Sequence, residues 1–469
     1  MDVHPLGAGS DSQAYEGQVM KLSLTGHRGP IPGTPEEIPA CRCPKALQLF
    51  IRLAPAFSSV LAMALCAAPA TTRAESARPA DAFVGFFGVN THLGYYDTAY
   101  RDYEGIVKPR LLELGVRHIR DGTFNDEVLG KYLDLGQHGI RLLFITDSKR
   151  AVERTRKLRP VLFAIEGGNE PDGRGSDWVP RIRAEHQSLY EAVKGDPATR
   201  DLPVAVSSLA NLRDSPAKLG DLTPYLDFGN MHPYAAGYPP SRHWGWGLSM
   251  ERAIAEARKV SGDKPILVTE CGYHNRMEEQ GHPGVSEVAE AKYLPRLLFV
   301  YFNRGMIKAY KYELLDEKPD PAFSDMERHF GLVRTNGTPK PSFIALKNLL
   351  HLLADPGAPV PTVPIGSLAF ELAGATNNLY HTLLQKRDGT FWLALFQEAV
   401  SYDAKTHRDL QVASQPVTLK LSWASPEIRL FRPNSSTEMV ERASGAREIK
   451  LEVPDEVLLV EIRPPKAAK

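Results

Sequence analysis

The sequence predicts a (β/α)8 TIM barrel followed by a small antiparallel β-sandwich. From residue 83 to about residue 350, eight short apolar runs alternate with longer amphipathic runs. Several of the short runs are apolar on both faces, as is expected of parallel strands covered by helices. Beyond residue 357 the composition shifts to short alternating runs, which are typical of antiparallel strands.

The chain of 469 residues is divided by this pattern into three parts. Residues 1–74 are interpreted as an N-terminal extension with a signal peptide, 75–357 as the barrel and 358–469 as the sandwich. The 56 basic and 56 acidic residues give a net charge of zero. This balance does not favour nucleic acid or an anionic membrane as a partner.

A secretory signal is predicted around residues 45–74. Lys45 and Arg52 precede an apolar segment, Leu53–Ala70, that ends in small residues, so cleavage is expected after Ala70 or Ala74. An apolar run of this length is borderline for spanning a bilayer, and a retained anchor is the alternative. We expect a secreted or periplasmic protein without stable membrane insertion after cleavage.

The cysteine distribution agrees with this interpretation. Cys41, Cys43 and Cys66 lie in the part that cleavage removes, and only Cys271 remains. The mature chain is therefore expected to contain no internal disulfide.

The predicted barrel strands are short and alternate regularly with longer runs. The segments FVGFFGV, VRHIR, IRLLFI, VLFAIE, PVAVSS, FGNMH, PILVTE and MIKAYKY begin at Phe83, Val116, Ile140, Val161, Pro203, Phe228, Pro265 and Met306. Runs with helical periodicity separate them, such as SMERAIAEARKVSG with Ser249 as its cap. An open doubly wound sheet is the rival fold, but the segment after the first strand, GVNTHLGYY, lacks the glycine-rich phosphate turn expected there.

A second domain follows the proline-rich connection APVPTVPIG. Its predicted strands lie in LYHTLLQKRDG, TFWLALFQE, PVTLKLSW, EIRLFRP, REIKLEV and EVLLVEIRP. The pair Asp388-Gly389 predicts a hairpin turn. We expect this domain to brace the barrel, with polysaccharide binding as the alternative.

Two carboxylates end predicted strands on opposite sides of the barrel mouth. The fourth strand ends in Asn169-Glu170 and the seventh in Glu270. Reacting groups of such barrels lie at the C-terminal ends of the strands. Two carboxylates flanking a cleft suit glycoside hydrolysis, in which one protonates the leaving oxygen and the other attacks the anomeric carbon or activates water. This chemistry calls for no metal ion and no cofactor.

The motifs GNEP and VTE at these strand ends resemble those of the clan A retaining glycoside hydrolases, family 39 most closely and family 5 next. The resemblance covers roughly residues 83–350. It implies that Glu170 is the general acid/base and Glu270 the nucleophile, and that Asn169 binds the sugar 2-hydroxyl.

The same resemblance extends to three further residues. Arg120, at the end of VRHIR, matches the arginine that supports the nucleophile. His232 and Tyr234, in MHPY, match residues that line the site, and Tyr234 is implied to hydrogen-bond Glu270. The alternative for each is a buried structural residue with satisfied polar atoms.

Other polar and aromatic residues of the barrel leave more than one interpretation open. Glu166 shares strand parity with Glu170 and is expected to lie deeper, paired with a cation or a donor. Trp244 and Trp246 suit a platform on which a sugar stacks, or pack their loop down. Asn90 and His92 contact substrate or cap a turn. For the acidic residues Glu313, Asp316 and Glu317, a solvated loop is favoured over a cation site.

We therefore predict a secreted retaining glycoside hydrolase that cleaves an oligo- or polysaccharide with two glutamates about 5–5.5 Å apart. A non-catalytic carbohydrate-binding barrel is one alternative, because Gly168 and Tyr312 stand where those families often carry tryptophan. Cys271, where an aromatic residue is common, is a further departure from the family pattern. A transglycosylase that uses the same residues is the other.

Overall fold

The computed structural model describes residues 73–241, 249–278, 282–355 and 363–465. The chain from Thr71 onward forms one compact unit. The proposed signal peptide falls almost wholly outside the described residues, as do Trp244 and Trp246. Among the described helices, none combines the length and the apolar character needed to cross a membrane.

The described chain begins with two short strands and a helix. These are β1 (Arg73–Ser76), β2 (Arg78–Pro79) and α1 (Ala80–Phe86). The strand predicted from Phe83 is therefore wrong over its first four residues, which are helical. An apolar run without clear periodicity does not distinguish a strand from a buried helix. Here Phe83 is fully buried and stacks on Phe299, with ring centroids 4.2 Å apart.

Eight parallel strands form the barrel and confirm the predicted fold. They pair in the order β7-β6-β5-β4-β3-β10-β9-β8, and a parallel bridge between Ala205 and Phe228 joins the two edges. Their bounds are β3 (Phe87–Asn90), β4 (His118–Asp121), β5 (Arg141–Ile145), β6 (Leu162–Glu166), β7 (Val204–Ala205), β8 (Gly229–Met231), β9 (Ile266–Cys271) and β10 (Lys308–Lys311).

Helices between the strands cover the outside of the barrel. They are α2 (Lys108–Leu114), α3 (Asp126–Gln137), α4 (Ala151–Leu158), α5 (Trp178–Gly195), α6 (Ser215–Leu219), α7 (Met250–Ser261), α8 (Glu287–Asn303) and α9 (Pro341–Leu353). Inside the barrel, one apolar layer consists of Leu143, Ala164, Ala205, Leu267 and Tyr310. Polar side chains follow this layer toward the C-terminal ends of several strands, and they form the candidate site.

The C-terminal domain is a β-sandwich, as predicted. One sheet has the order β1-β11-β16-β19 and the other β18-β17-β20-β13-β12-β2, while β14 and β15 form a separate pair. Their bounds are β11 (Ser367–Gly374), β12 (Leu379–Gln385), β13 (Phe391–Gln397), β14 (Tyr402–Asp403), β15 (Arg408–Asp409), β16 (Gln415–Ser425), β17 (Ile428–Phe431), β18 (Met439–Ala443), β19 (Ala446–Val453) and β20 (Leu458–Ile462). Gly389, with φ of 88°, turns the chain between β12 and β13.

The first strands of the described chain complete the sandwich. β1 pairs antiparallel with β11, and β2 pairs parallel with β12. Residues 75–79, which the predicted boundaries assign to the barrel, thus pair with strands from the other end of the chain. Such pairing between distant segments has no local sequence signal.

Candidate active site

The structure brings together the described residues proposed for the site at the C-terminal ends of the strands. Arg120 and Glu270 lie within β4 and β9. The others follow β6 and β8 on loops, which are anchored by the strands before them. The residues that meet are Arg120, Asn169, Glu170, His232, Tyr234 and Glu270.

Arg120 lies at the centre of the site. Its guanidinium donates to both oxygens of Glu166 (2.7 and 2.8 Å) and to Oε1 of Glu270 (2.8 Å). It also donates to the side-chain oxygens of Asn90 (2.9 Å) and Asn169 (2.7 Å). Burial alone would lower the pKa of Arg120, but the charges and hydrogen bonds of the two glutamates raise it. A buried cation is thus held between two anions.

Glu166 is fully buried below the mouth, as its strand parity predicts. Besides the bidentate pair with Arg120, it accepts from the side-chain amide of Asn230 at 3.0 Å. The carboxylate of Glu166 accepts its hydrogen bonds from donors inside the barrel. Glu166 therefore holds Arg120 in place and is not available to a sugar.

Glu270 has a donor on each carboxylate oxygen. Arg120 donates to Oε1, and the Tyr234 hydroxyl donates to Oε2 at 2.8 Å. Burial and the nearby charge of Glu270 raise the pKa of Tyr234 well above its usual value, so the phenol stays neutral and donates. The two donors stabilise the ionised carboxylate and fix its orientation.

Glu170 has a different environment. Its side chain is 34% exposed, against 10% for Glu270. One of its oxygens lies 2.7 Å from Nδ1 of His232. The backbone of Glu170 is left-handed, with φ of 45°, which costs a residue with a Cβ about 1 kcal/mol or more. Such strain tends to persist where a side chain must point in one direction for function.

The two proposed catalytic carboxylates face one another closely. One oxygen of Glu170, one oxygen of Glu270 and a ring nitrogen of His232 all lie within 4.8 Å of each other. Retaining glycosidases separate their carboxyl groups by about 5–5.5 Å, and inverting enzymes by about 6.5–9.5 Å. The nearest oxygens of Glu170 and Glu270 thus come close enough for the shorter of these two spacings.

His232 connects the two halves of the site. Its Nδ1 lies 2.7 Å from Glu170 and 3.5 Å from Oε2 of Glu270, and its Nε2 lies 2.8 Å from the hydroxyl of Thr269. Burial alone would lower the pKa of His232. The charge of Glu270 and the hydrogen bond to Glu170 outweigh burial and raise it.

A set of acidic residues that we call the acidic wall, Glu313, Glu317 and Glu327, follows β10. Glu313 is fully buried and accepts from the hydroxyl of Tyr100 at 2.8 Å. Burial raises the pKa of Glu317 to about 7 and that of Glu327 to about 8, and neighbouring carboxylates add to both shifts. The charge of Glu270 is one of those that raise the pKa of Glu327, and Glu327 accepts from the hydroxyl of Tyr312 at 3.3 Å.

The interpretation of Glu313 and Asp316 as part of a solvated loop is wrong. Both are buried, and Asp316 accepts from Lys340 at 2.8 Å.

The structure also shows which residues Asn90 and His92 contact. Asn90 contacts Arg120, while the Nε2 of His92 lies 3.4 Å from Glu313, and burial lowers the pKa of His92 to about 4.

Two groups of side chains in the described ranges are close enough to hold a metal ion. One is Glu170, His232 and Glu270, and the other is His92, Glu313 and Glu317. In the first group the guanidinium of Arg120 already neutralises Glu270. Hydrolysis by two carboxylates needs neither group to bind metal.

Sequence reasoning missed several polar residues of the site. Thr269 shares strand parity with the inward-facing Leu267, and this was the available signal. Ser208, which accepts from the backbone of Glu170 at 3.2 Å, and Glu327 lie in loops without periodicity. Nothing in their local sequence separates them from ordinary loop residues.

Two solved structures resemble this chain over most of its length. One is a family 39 glycoside hydrolase from the gut symbiont Bacteroides cellulosilyticus WH2, with 16% identity, a TM-score of 0.51 and coverage of 82% of this chain and 81% of that one. The other is a glucosidase from Croceicoccus marinus, with 13% identity, a TM-score of 0.54 and coverage of 84% and 98%.

The protein shares their fold. This likeness confirms the resemblance to family 39 at the level of the fold. No family model matches the sequence. No curated protein matches it either. The case for an activity therefore depends on the geometry of the site.

Proposed function

We propose that this protein is a retaining glycoside hydrolase. The observation that carries the proposal is the pair Glu170 and Glu270, whose oxygens approach within 4.8 Å at the mouth of the barrel in unlike environments. Unlike environments are what acid–base and nucleophilic roles require, because one carboxyl must carry a proton while the other is ionised.

Glu270 is suited to be the nucleophile. Arg120 and Tyr234 each donate to one of its oxygens, which favours the ionised form and holds it at the mouth. Glu170 is suited to be the acid/base, because it is more exposed and is in contact with His232, which can take up or release a proton.

The proposed reaction has two steps. In the first, Glu270 forms a bond to the anomeric carbon while the glycosidic C–O bond breaks and Glu170 gives its proton to the leaving oxygen. In the second, Glu170 removes a proton from water, the water oxygen bonds to the anomeric carbon, and Glu270 leaves. The configuration at that carbon is retained.

The substrate is proposed to be an oligo- or polysaccharide. Because burial raises the pKa of Glu327 to about 8, this member of the acidic wall is mostly protonated at neutral pH and does not exclude an acidic sugar by its charge. Because the sequence predicts a signal peptide, we propose that the protein acts outside the cytoplasm, in the medium or the periplasm. Comparing hydrolysis of neutral polysaccharides with that of uronic-acid polymers would test the substrate class.

Covalent trapping tests the mechanism. A panel of activated 2-deoxy-2-fluoro glycosides should add the mass of one sugar to the wild-type protein, and peptide mapping should place it on Glu270. Glu270→Gln should not be labelled. Glu170→Gln should label slowly with substrates whose leaving groups need protonation and faster with those that do not.

The matched control is Glu452→Gln, which changes an exposed glutamate of the sandwich and should label like the wild type. Product of inverted configuration would contradict the nucleophile assignment. Sugar binding without label or hydrolysis across the panel would favour the non-catalytic carbohydrate-binding barrel. Products longer than the donor, formed in the presence of acceptor sugar, would favour a transglycosylase.

A further inference from the structure

We infer that Thr269 is a positioning residue that keeps a proton on Nε2 of His232, so that Nδ1 shares with Glu170 the proton used in acid–base catalysis. The inference rests on the proposed function for its catalytic meaning. Its structural basis is the count of hydrogens in the buried network formed by Glu166, Asn230, Thr269 and His232.

The orientation of the Asn230 amide is fixed by its neighbours. Its nitrogen lies 3.0 Å from Oε1 of Glu166 and 3.2 Å from the carbonyl oxygen of Val206. Both neighbours are acceptors, and a rotated amide would place its own oxygen against them. The Asn230 oxygen must therefore face Thr269, 2.8 Å away.

The hydroxyl of Thr269 has one hydrogen and three polar neighbours. Two of them only accept: the Asn230 oxygen at 2.8 Å and Oε1 of Glu166 at 3.2 Å. If the hydrogen pointed at His232 instead, these oxygens would face the hydroxyl oxygen with no hydrogen between them. The Thr269 hydrogen is thus committed to Asn230 or Glu166.

The third neighbour of the hydroxyl is Nε2 of His232, at 2.8 Å. Because Thr269 has no hydrogen left for it, Nε2 must be the donor of this bond. The neutral form of His232 then has its lone pair on Nδ1, which lies 2.7 Å from Glu170. One proton lies between Nδ1 and the carboxyl group, whichever atom it is bound to.

The charged groups around the ring favour keeping that proton. Glu170 and Glu270 approach Nδ1 from the loop after β6 and from β9, and both raise the pKa of His232 against the effect of burial. Arg120, on β4, acts in the opposite direction. Thr269 is neutral, so it determines which ring nitrogen of His232 carries the proton without changing the net charge of the site.

The fixed tautomer affects both catalytic steps. When the shared proton passes to the glycosidic oxygen, the Glu170 carboxylate is left facing the Nδ1 lone pair. Two acceptors at this distance repel each other, so the pair readily takes a proton back from the attacking water. The other tautomer, with hydrogen on Nδ1, would instead stabilise the carboxylate and weaken it as a base.

Nitrogen NMR tests the tautomer directly. In protein labelled with 15N-histidine, the ring signals of His232, identified by their loss in His232→Gln, should show Nε2 protonated from pH 5 to 9. Loss of the proton from Nε2 anywhere in this range would overturn the inference. This measurement needs no substrate and no change at Thr269.

Two substitutions of Thr269 test the catalytic consequence. Thr269→Val keeps the shape and removes the hydroxyl, so the Nδ1-protonated tautomer becomes accessible. The alkaline limb of the kcat/KM profile should then move down by about one pH unit, the size expected for one hydrogen bond to a charged group. Thr269→Ser keeps the hydroxyl and should keep the wild-type limb.

A merely structural role for Thr269 predicts a different result. Thr269→Val would then lower the rate by the same factor at every pH, and the limb would not move; that outcome contradicts the inference. A melting curve of each variant establishes that it is folded. If Glu270 takes no label from any glycoside, the proposed function fails, whereas the NMR result still decides the tautomer.

Discussion

At the scale of single residues, the two glutamates of the site differ in the hydrogen-bond donors that contact their carboxylate oxygens. Glu270 accepts a hydrogen bond from Arg120 on one oxygen and from Tyr234 on the other, whereas Glu170 has no comparable pair of donors among the described residues. Two identical side chains thereby differ in their hydrogen-bond partners, and the different roles proposed for them rest on this difference.

Removing one donor from Glu270 should slow the reaction without unfolding the protein. In Tyr234→Phe the carboxylate loses a hydrogen bond of about 1.5–3 kcal/mol, so kcat/KM should fall about 10- to 100-fold. The matched control is Tyr301→Phe, which removes a buried hydroxyl that donates to the Pro233 carbonyl at 2.9 Å. The control should lower the melting temperature and leave kcat/KM near wild type. Equal losses of activity in both variants would contradict a direct role for Tyr234.

Glu327 should make stability depend on pH. Its folded pKa is raised to about 8 by burial, whereas the unfolded value is about 4.3. The protonated carboxyl of Glu327 therefore makes its full contribution to stability below the unfolded pKa. This contribution is lost as pH rises toward 8. Glu327→Gln, which is neutral throughout, should gain stability relative to wild type between pH 5 and pH 8.

Melting temperatures of both proteins at pH 5 and pH 8 would measure this gain. Glu452→Gln, at an exposed position of the sandwich, is the control and should show no such trend. A constant difference between Glu327→Gln and wild type would show that the carboxyl group is equally protonated in the folded and unfolded protein over this range, so that folding does not raise its pKa.

The sequence could predict the residues at strand ends but not those on loops. Arg120, Glu170 and Glu270 each follow an apolar run that marks a strand, so their positions around the barrel could be counted. Glu327 lies 16 positions beyond the last residue of β10, in a loop whose path depends on tertiary contacts. Its approach to Glu270 has no signal in the spacing of residues.

At the scale of elements, a shift of register in β9 explains how two consecutive side chains enter the site. Lys308 and Ala309 pair with Leu267 and Val268, but Lys311 pairs with Cys271, so β9 has one residue more than β10 over this stretch. An extra residue of this kind bends the strand and re-aims a side chain. Alternation alone would place Thr269 inside the barrel and Glu270 outside, whereas both contact inward-facing groups.

Strand β9 also shows which features the sequence pattern does not predict. The segment PILVTE marks a strand and its end, and the resemblance of VTE to known motifs selects Glu270. The register shift depends on how β9 pairs with its neighbours, which are far away in the chain. The sequence therefore predicted the element and its key residue, but not the geometry that delivers that residue.

Strand β1 makes the N-terminal boundary testable. Arg73 and Ala74 pair with Phe370 and Ala369 of β11. Cleavage after Ala74 would remove half of this strand, whereas cleavage after Ala70 would leave it whole. We expect the N-terminus of the exported protein to be Thr71, as determined by mass spectrometry.

Truncated proteins give an independent measurement. A chain that begins at Glu75 should melt at a lower temperature than one that begins at Thr71, because β11 loses part of its partner. A chain that begins at Arg73 keeps all of β1 and should melt like the longer one. Identical melting of all three would show that β1 adds nothing to stability.

At the scale of the whole molecule, barrel and sandwich are joined through a buried guanidinium. Arg296 of α8 is fully buried and donates to Glu398 at 2.9 Å and to the carbonyl oxygens of Asp455 (2.9 Å) and Ala399 (3.0 Å). These partners belong to loops of the sandwich. No water reaches a guanidinium enclosed in this way, so the loss of a partner inside the closed contact leaves a buried charge unpaired.

Arg296→Met should destabilise the protein by about 3–5 kcal/mol, since it leaves Glu398 buried without its cation. Arg304→Met is the control at the end of the same helix: Arg304 bonds Glu251 at 2.6 Å, the side chain of Glu251 is 67% exposed, and the loss of this pair should cost about 1 kcal/mol or less. Urea unfolding followed by circular dichroism would measure both. Equal effects would show that the burial of Arg296 is unimportant.

Glu398 has a second contact that changes how the sandwich should be regarded. Its other oxygen accepts the backbone N–H of Ser241 at 2.6 Å, on the loop that follows His232 and Tyr234. A single carboxylate outside the barrel thus holds both a barrel helix and the chain leading away from the proposed catalytic groups. If these groups act as proposed, the sandwich is not an interchangeable module: exchanging it for the corresponding domain of a similar protein would give an active chimera only if the donor domain supplied an acceptor at this point.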